Sequence, residues 1–249
     1  MDLAYGRQYA ELYRRHWWWR ARERLLLREL EARLAPGAAG AVLDFGCGDG
    51  LFLDALRRFG EPYGIETDTR LLSPDGPWRS RIDTRPLERD PSQHGRFGLI
   101  VALDVLEHIA DPQPVVAELT RRLRPGGLFV VTVPAFQQLW TAHDEMNQHV
   151  RRYTTAEAST LVASAGLEVI EARYFFVWLA FLKWLVVQKE RLLPGSLAPP
   201  RVPFAPINAA FHLAARAEQR LLGRGHPPFG SSALVIARAP LSTGAPPSP

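Results

Sequence analysis

Thiols, lysines and long apolar runs are all scarce in this chain. Among 249 residues there is one cysteine, Cys47, which excludes an internal disulfide and suits a reducing cytoplasm. Two lysines, Lys183 and Lys189, stand against 28 arginines, and the arginines are scattered without a dense block. The net charge of +4 therefore reads as solvated faces with some attraction to anionic surfaces, and no nucleic-acid partner is expected. The N-terminus is charged and aromatic and lacks the apolar segment of a cleavable signal peptide. No run reaches the ~20 apolar residues of a transmembrane helix. The G-x-G-x-x-G spacing of a dinucleotide-binding turn is also missing, which argues against a nicotinamide oxidoreductase.

The hydrophobic content of 47% is enough for a substantial core, and the length fits one domain with an appendage. Residues 42 to 50 read Val-Leu-Asp-Phe-Gly-Cys-Gly-Asp-Gly. An apolar strand ends in Asp44, glycines follow at Gly46, Gly48 and Gly50, and a helical pattern runs from Leu51 to Phe59. A loop without Cβ atoms lets a ligand touch main chain, and its amides with the helix start favour an anionic group. Pro62 to Glu66 reads as a second strand ending in a carboxylate that can accept hydrogen bonds from both hydroxyls of a ribose.

The remaining pattern alternates strands and helices, the mark of an α/β domain with a parallel sheet. The spacing predicts one helix over 7–34, a short third strand near 78–83, buried strands at 98–104 and 128–133, and a helix over 115–123 between them. Thr154 and Glu157 form a capping box before a helix that ends at Gly166. Strands are expected at 167–173 and 232–238. Domain boundaries then fall into an N-terminal helix or lid over 1–36, an α/β domain over 37–173, an apolar helical cap over 174–230, a last strand over 231–239 and a disordered tail over 240–249. Of the three adjacent tryptophans, Trp17 to Trp19, one or two are expected to pack on the domain and another to close the cleft.

The landmarks Leu43-Asp44-Phe45-Gly46-Cys47-Gly48-Asp49-Gly50, Gly64-Ile65-Glu66, Leu103-Asp104-Val105-Leu106-Glu107-His108-Ile109 and Leu123-Arg124-Pro125-Gly126-Gly127 together resemble the class I S-adenosylmethionine (SAM)-dependent methyltransferases. The likeness is to the type 11 and type 12 group, which is similar to ubiquinone-biosynthesis O-methyltransferases, and it covers roughly 40–173 and the final strand. It implies a Rossmann-like seven-stranded sheet with the last strand antiparallel. It also implies SAM as cofactor, with Asp44, Gly46, Cys47, Gly48 and Gly50 around the methionine part and Glu66 on the ribose. Asp83 and Thr84 would lie at the adenine, and Leu103 and Asp104 beside the reaction centre.

A hydroxyl acceptor would also need its proton removed, and histidine is the usual agent. His143 is the first candidate base and His149 the second, in a polar stretch past the fifth strand, where open α/β sheets place ligands. Asp104, Glu107 and His108 approach the Glu-x-x-Glu-His pattern with which some relatives bind magnesium. The first position is Asp here, so Glu107 and His108 are expected to shape the cleft wall without a metal. The expected function is methyl transfer to a small or lipid-like acceptor at oxygen, with peripheral membrane contact through 174–190. The alternative is a non-catalytic SAM-binding module that docks through the apolar insertion.

Overall fold

The computed structural model describes residues 3–192, 201–223 and 225–241. The N-terminal segment forms α1 (Leu3–Arg15) and α2 (Trp17–Glu31). These replace the single helix expected there. The break is at His16, whose backbone is extended (φ −76°, ψ 132°) and whose ring accepts from the Trp18 amide at 3.1 Å. A neutral imidazole is needed for that acceptor role, and burial holds the His16 pKa down at about 4.

The sheet follows: β1 (Gly40–Phe45), a four-residue α3 (Leu53–Leu56), β2 (Gly60–Ile65), β3 (Ile82–Asp83), β4 (Phe97–Leu103), α4 (Pro112–Arg122) and β5 (Leu123–Pro134). Then come α5 (Ala142–Met146), α6 (Thr155–Ser164), β6 (Glu168–Phe175), α7 (Val177–Leu192), α8 (Ala205–Leu221) and β7 (Ser232–Arg238). The strand order is β3-β2-β1-β4-β5-β7-β6. All neighbouring pairs are parallel except those of β7, which runs antiparallel to both β5 and β6. This is the seven-stranded Rossmann-like sheet, with its last strand antiparallel, that the resemblance implies. The Thr154–Glu157 capping box opens α6 as its sequence requires.

Core residues alternate between the two faces of the strands. Val42, Leu99, Val101, Leu128 and Val130 pack toward α2 and α3, whereas Leu43, Ile100, Phe129 and Val131 pack toward α4 and α6. Both faces are covered, so the central strands are nearly continuous apolar runs, interrupted in the interior by Asp44 in β1 and Thr132 in β5. Trp17 joins Phe176, Trp178 and Phe211 in one aromatic cluster that binds α2 to α7 and α8. Buried Glu29 on α2 pairs with Arg173 on β6 at 2.7 Å and fixes the helix against the sheet. Most of the tail expected to be disordered, and residues 193–200 of the expected cap, lie outside the described residues.

Close backbone approach makes Gly60 a sensitive position, because a Cβ there would collide with the carbonyl oxygen of Gly40 on the paired strand. Gly60→Ala is expected to cost about 1–3 kcal/mol, the usual range for overpacking. Urea denaturation checks this, and an unchanged midpoint would contradict it.

Candidate active site

The carboxyl ends of β1, β4 and β5 open onto a cleft of about 1230 Å³. The strand order reverses between β1 and β4, and ligands of open α/β sheets bind at such a switch point. The volume exceeds that of a single-ligand pocket, typically ~300–1,000 Å³, so the cleft has room for two ligands side by side. Gly46, Gly48, Glu66, Leu103, Asp104, His143 and His149 all line it.

The loop after β1 is held by Glu66. One carboxylate oxygen accepts from the Gly48 amide at 3.0 Å and the other from the Asp68 amide at 2.8 Å. Burial raises the Glu66 pKa, and these amides oppose the rise. Gly46, Gly48 and Gly50 all take left-handed backbone (φ +75°, +54° and +74°). A Cβ at Gly46 would collide with Val105, whereas one at Gly48 would meet only Tyr9 at 4.0 Å. Main chain at Gly48 is thus bare toward the cleft, as a ligand cradle requires. Gly64 escaped the sequence reading as a tight spot: a Cβ there would strike the Cys47 sulfur. The expected helix after Gly50 shrinks to the single turn of α3, so close main-chain approach, not a helix dipole, is what the loop offers.

Asp44 and Cys47 sit under the loop, along a small adjoining crevice. Burial lifts Asp44 to about 7, against the pull of Arg22. Burial and Asp44 push the Cys47 thiol up, so this sulfur is no activated nucleophile. Gly50 packs against Trp78 and lies outside the cleft lining. Asp83 and Thr84 are not brought to the cleft. The Asp83 carboxylate turns to Arg85 at 2.7 Å, while Pro86 and Leu87 supply the lining nearby.

Just past the end of β4, Asp104 holds a left-handed φ of +56°, and its carboxylate lies 3.0 Å from Arg22 on α2. A non-glycine residue held there is an unusual conformation that recurs at functional sites. Arg22 also lies over the Trp18 ring at 5.2 Å. Its sequence signal was a charge within the apolar stripe of α2, between Leu25, Leu26 and the tryptophans. Lys183 was missed too. With Leu179, one turn earlier on α7, it lines the cleft from the insertion. Burial and the nearby Arg152 lower it to about 8.

The histidines differ in their partners. Nε2 of His143 lies 2.9 Å from the Asn147 amide nitrogen, which can only donate, so that lone pair is engaged as the side chains stand. Burial and the Lys183 charge lower His143 to about 4. His149 Nδ1 faces the Asp144 carboxylate at 2.8 Å, which fixes its proton there and leaves Nε2 as an acceptor 4.0 Å from Glu107. Asp144 is fully buried and also takes two hydrogen bonds from Arg152, at 2.9 and 2.8 Å. Burial opposes ionisation, but His149 and Arg152 hold its carboxyl well below the usual range. Glu107 is buried with one oxygen unpartnered, and burial and Asp104 raise its pKa. Among the described residues, Glu107, His108 and His149 carry potential metal-ligand atoms within 4.8 Å of one another. Asp104, turned to Arg22, is not in that group.

With this geometry in place, comparison identifies the class. Residues 18–172 match the methyltransferase domain family. The chain belongs to that family and carries a SAM-dependent methyltransferase domain. A Mycolicibacterium smegmatis protein named "Probable S-adenosylmethionine-dependent methyltransferase" is 34% identical over 146 residues, 55% of this chain and 56% of that protein. The ubiquinone biosynthesis O-methyltransferase of Paracidovorax citrulli is 27% identical over 165 residues, 56% of this chain and 68% of that one. The match thus spans about half to two thirds of these curated relatives. Among solved structures, the methyltransferase in complex with the Haloferax volcanii Trm112 activator superposes with TM-score 0.58 at 19% identity, over 97% of both chains. A SAM-dependent methyltransferase from Archaeoglobus fulgidus gives 0.51 at 14% identity, over 87% of this chain and 94% of the other.

Two measurements test the buried charges. Asp144→Ala would leave Arg152 uncompensated and is expected to cost about 3–5 kcal/mol by denaturant unfolding. Glu107 contributes the opposite sign. Its raised folded pKa means stability is fully present below the ordinary carboxylate value and is lost as pH rises through the elevated one. Glu107→Gln should therefore gain thermal stability relative to the parent at pH 8 compared with pH 4. A pH-independent difference would contradict the assignment.

Proposed function

We propose that this protein transfers a methyl group from SAM to a hydroxyl of a small or lipid-like acceptor. The observation that carries the reading is the bare main chain at Gly48, tied to Glu66 on the floor of a cleft large enough for two ligands. The O-methyltransferase names among the relatives support oxygen as the accepting atom.

In this reading the glycine loop holds the methionine part and Glu66 offers its remaining lone pairs to the ribose. When bound, SAM supplies an activated methyl on a sulfonium leaving group. The chain's task is to place the acceptor in line at near-attack distance and to take its proton. The geometry favours His149 over His143 as the base. Asp144 orients His149 through Nδ1, and Nε2 stays available, whereas the Nε2 lone pair of His143 is engaged by Asn147. Lys183 would lower the cost of a developing oxyanion on the acceptor. Asp104 and the Arg22 opposite it flank the reacting methyl.

SAM is expected to stabilise the fold by mass action, by about 2.7 kcal/mol at a hundredfold excess over Kd, and so to raise the melting temperature, and NADH is not. Glu66→Ala should abolish the shift, and full binding by that variant would refute the ribose assignment. His149→Ala should keep SAM affinity in calorimetry while losing ~10²–10⁴-fold in turnover, the range for a general base. Turnover unchanged in His149→Ala but lost in His143→Ala would reverse the order of the two histidines.

A further inference from the structure

Helix α7 presents two different faces. Toward the protein, Leu179 and Lys183 line the cleft, Ala180 and Val187 are buried, and Glu190 accepts from the Ala142 amide at 3.2 Å. Toward the outside stand Phe181 (57% exposed), Trp184 (53%), Leu185 (55%) and Leu192 (80%). Their spacing of three, four and seven residues places them in one stripe along the helix. Leu182 and Val186 widen it. An apolar stripe of this length left bare is rare on a soluble surface and marks a contact.

The charges choose the occupant. The exposed ionic side chains of α7 are Lys189 and Arg191, both cationic and in or next to its last turn, and its one acid, Glu190, is turned inward. Lys189 follows Leu185 by four residues, so its stem can lie along the apolar stripe with the ammonium at the edge. Aromatic and aliphatic groups bordered by cations suit the headgroup boundary of an anionic bilayer. A second copy of this face would offer these cations no acid of α7, because Glu190 is turned inward. No helix among the described residues is long and apolar enough to cross a membrane, so the contact is peripheral.

We infer that the outer face of α7 docks on an anionic membrane surface, inserting Phe181, Trp184 and Leu185 while Lys189 and Arg191 meet the headgroups. The inner face of the same helix is a wall of the cleft, so docking sets the cleft mouth at the depth where a lipid-like acceptor resides. The docking itself does not depend on methyl transfer, and SAM binding is measured separately.

The full chain is floated with vesicles of phosphatidylcholine alone and of phosphatidylcholine with phosphatidylglycerol. It should rise with the anionic vesicles and fall back as salt is added. The triple variant Phe181→Ser, Trp184→Ser, Leu185→Ser removes no buried side chain and one edge contact, that of Phe181 with the Phe229 ring at 5.2 Å, and none of the three lines the cleft, so its SAM-induced melting shift should match the parent. Its vesicle-bound fraction should drop at least about tenfold. Lys189→Glu with Arg191→Glu should remove the preference for anionic vesicles. A parent protein that stays at the bottom with both vesicle types would overturn the inference, as would a triple variant that floats equally well. Light scattering supplies the remaining outcome: a dimer that the triple variant dissolves, without flotation of the parent, would assign the face to a second copy of the chain and also overturn it.

Discussion

One carboxylate organises the glycine-loop end of the cleft. Glu66 stands at the tip of β2 and accepts the amide of Gly48 from the loop after β1 and the amide of Asp68 from its own loop. The Gly46 and Cys47 amides also donate to the Ile65 carbonyl at 2.8 and 3.2 Å, so main chain and side chain together tie the loop to the tip of β2. The glycines make this possible: their left-handed backbone reverses the chain within five residues, and Gly64 leaves space for the Cys47 sulfur beneath. An alanine at 64 would displace Cys47 and with it the loop that Glu66 grips. The cradle is therefore a consequence of backbone packing between two parallel strands, not of any single binding side chain.

The cleft walls hold several acids, and each is kept from standing as a free buried charge in a different way. Asp144 is ionised and enclosed by Arg152 and His149, Asp104 faces Arg22, and Glu107 is pushed toward its neutral form by burial and by Asp104. An unpaired charge in such a place would cost several kcal/mol, so pairing or neutralisation is obligatory. The pairings also do mechanical work. Arg22 belongs to α2 and Asp104 to the end of β4, so this ion pair joins the N-terminal helices to the cleft wall. Asp144 sets the ring of His149 while itself being held by Arg152, so the histidine's orientation is a joint property of α5 and the segment that follows it.

Local features were legible in the sequence because their causes are local. The glycine loop, the Thr154–Glu157 box and the strand 232–238 each carry their reason within ten residues, and each lies where the pattern put it. The break at His16 was not legible, because residues 7–34 have helical periodicity throughout and only the imidazole's turn toward the Trp18 amide stops the helix. The third strand shrinks to two residues since its pairing is limited to Gly64 and Ile65 at the sheet edge. Arg22 and Lys183 required tertiary knowledge: a charge on an apolar helical stripe signals a buried partner, but nothing in the spacing says that the partner is Asp104 or that Lys183 reaches a cleft. The choice between His143 and His149 turns on which nitrogen is engaged, and that depends on Asn147 and Asp144 in three dimensions.

The position of the insertion follows from the one antiparallel strand. β6 runs with the parallel strands, so its end at Phe175 lies on the same edge of the sheet as the ends of β1 and β4. β7 runs the other way and starts at Ser232, paired with Phe175, on that same edge. The connection between them therefore leaves and re-enters beside the cleft, and residues added there can extend over its mouth without disturbing the sheet. α7 uses this freedom to place Leu179 and Lys183 on the cleft, while α8 instead packs on α2 through Asn208 and Gln219. In this way the sheet and glycine loop form the floor of the cleft, and a segment hung from the β6–β7 edge is free to shape its mouth. The part of the chain that reads as family and the part that would select an acceptor are thus separated by topology as well as by sequence.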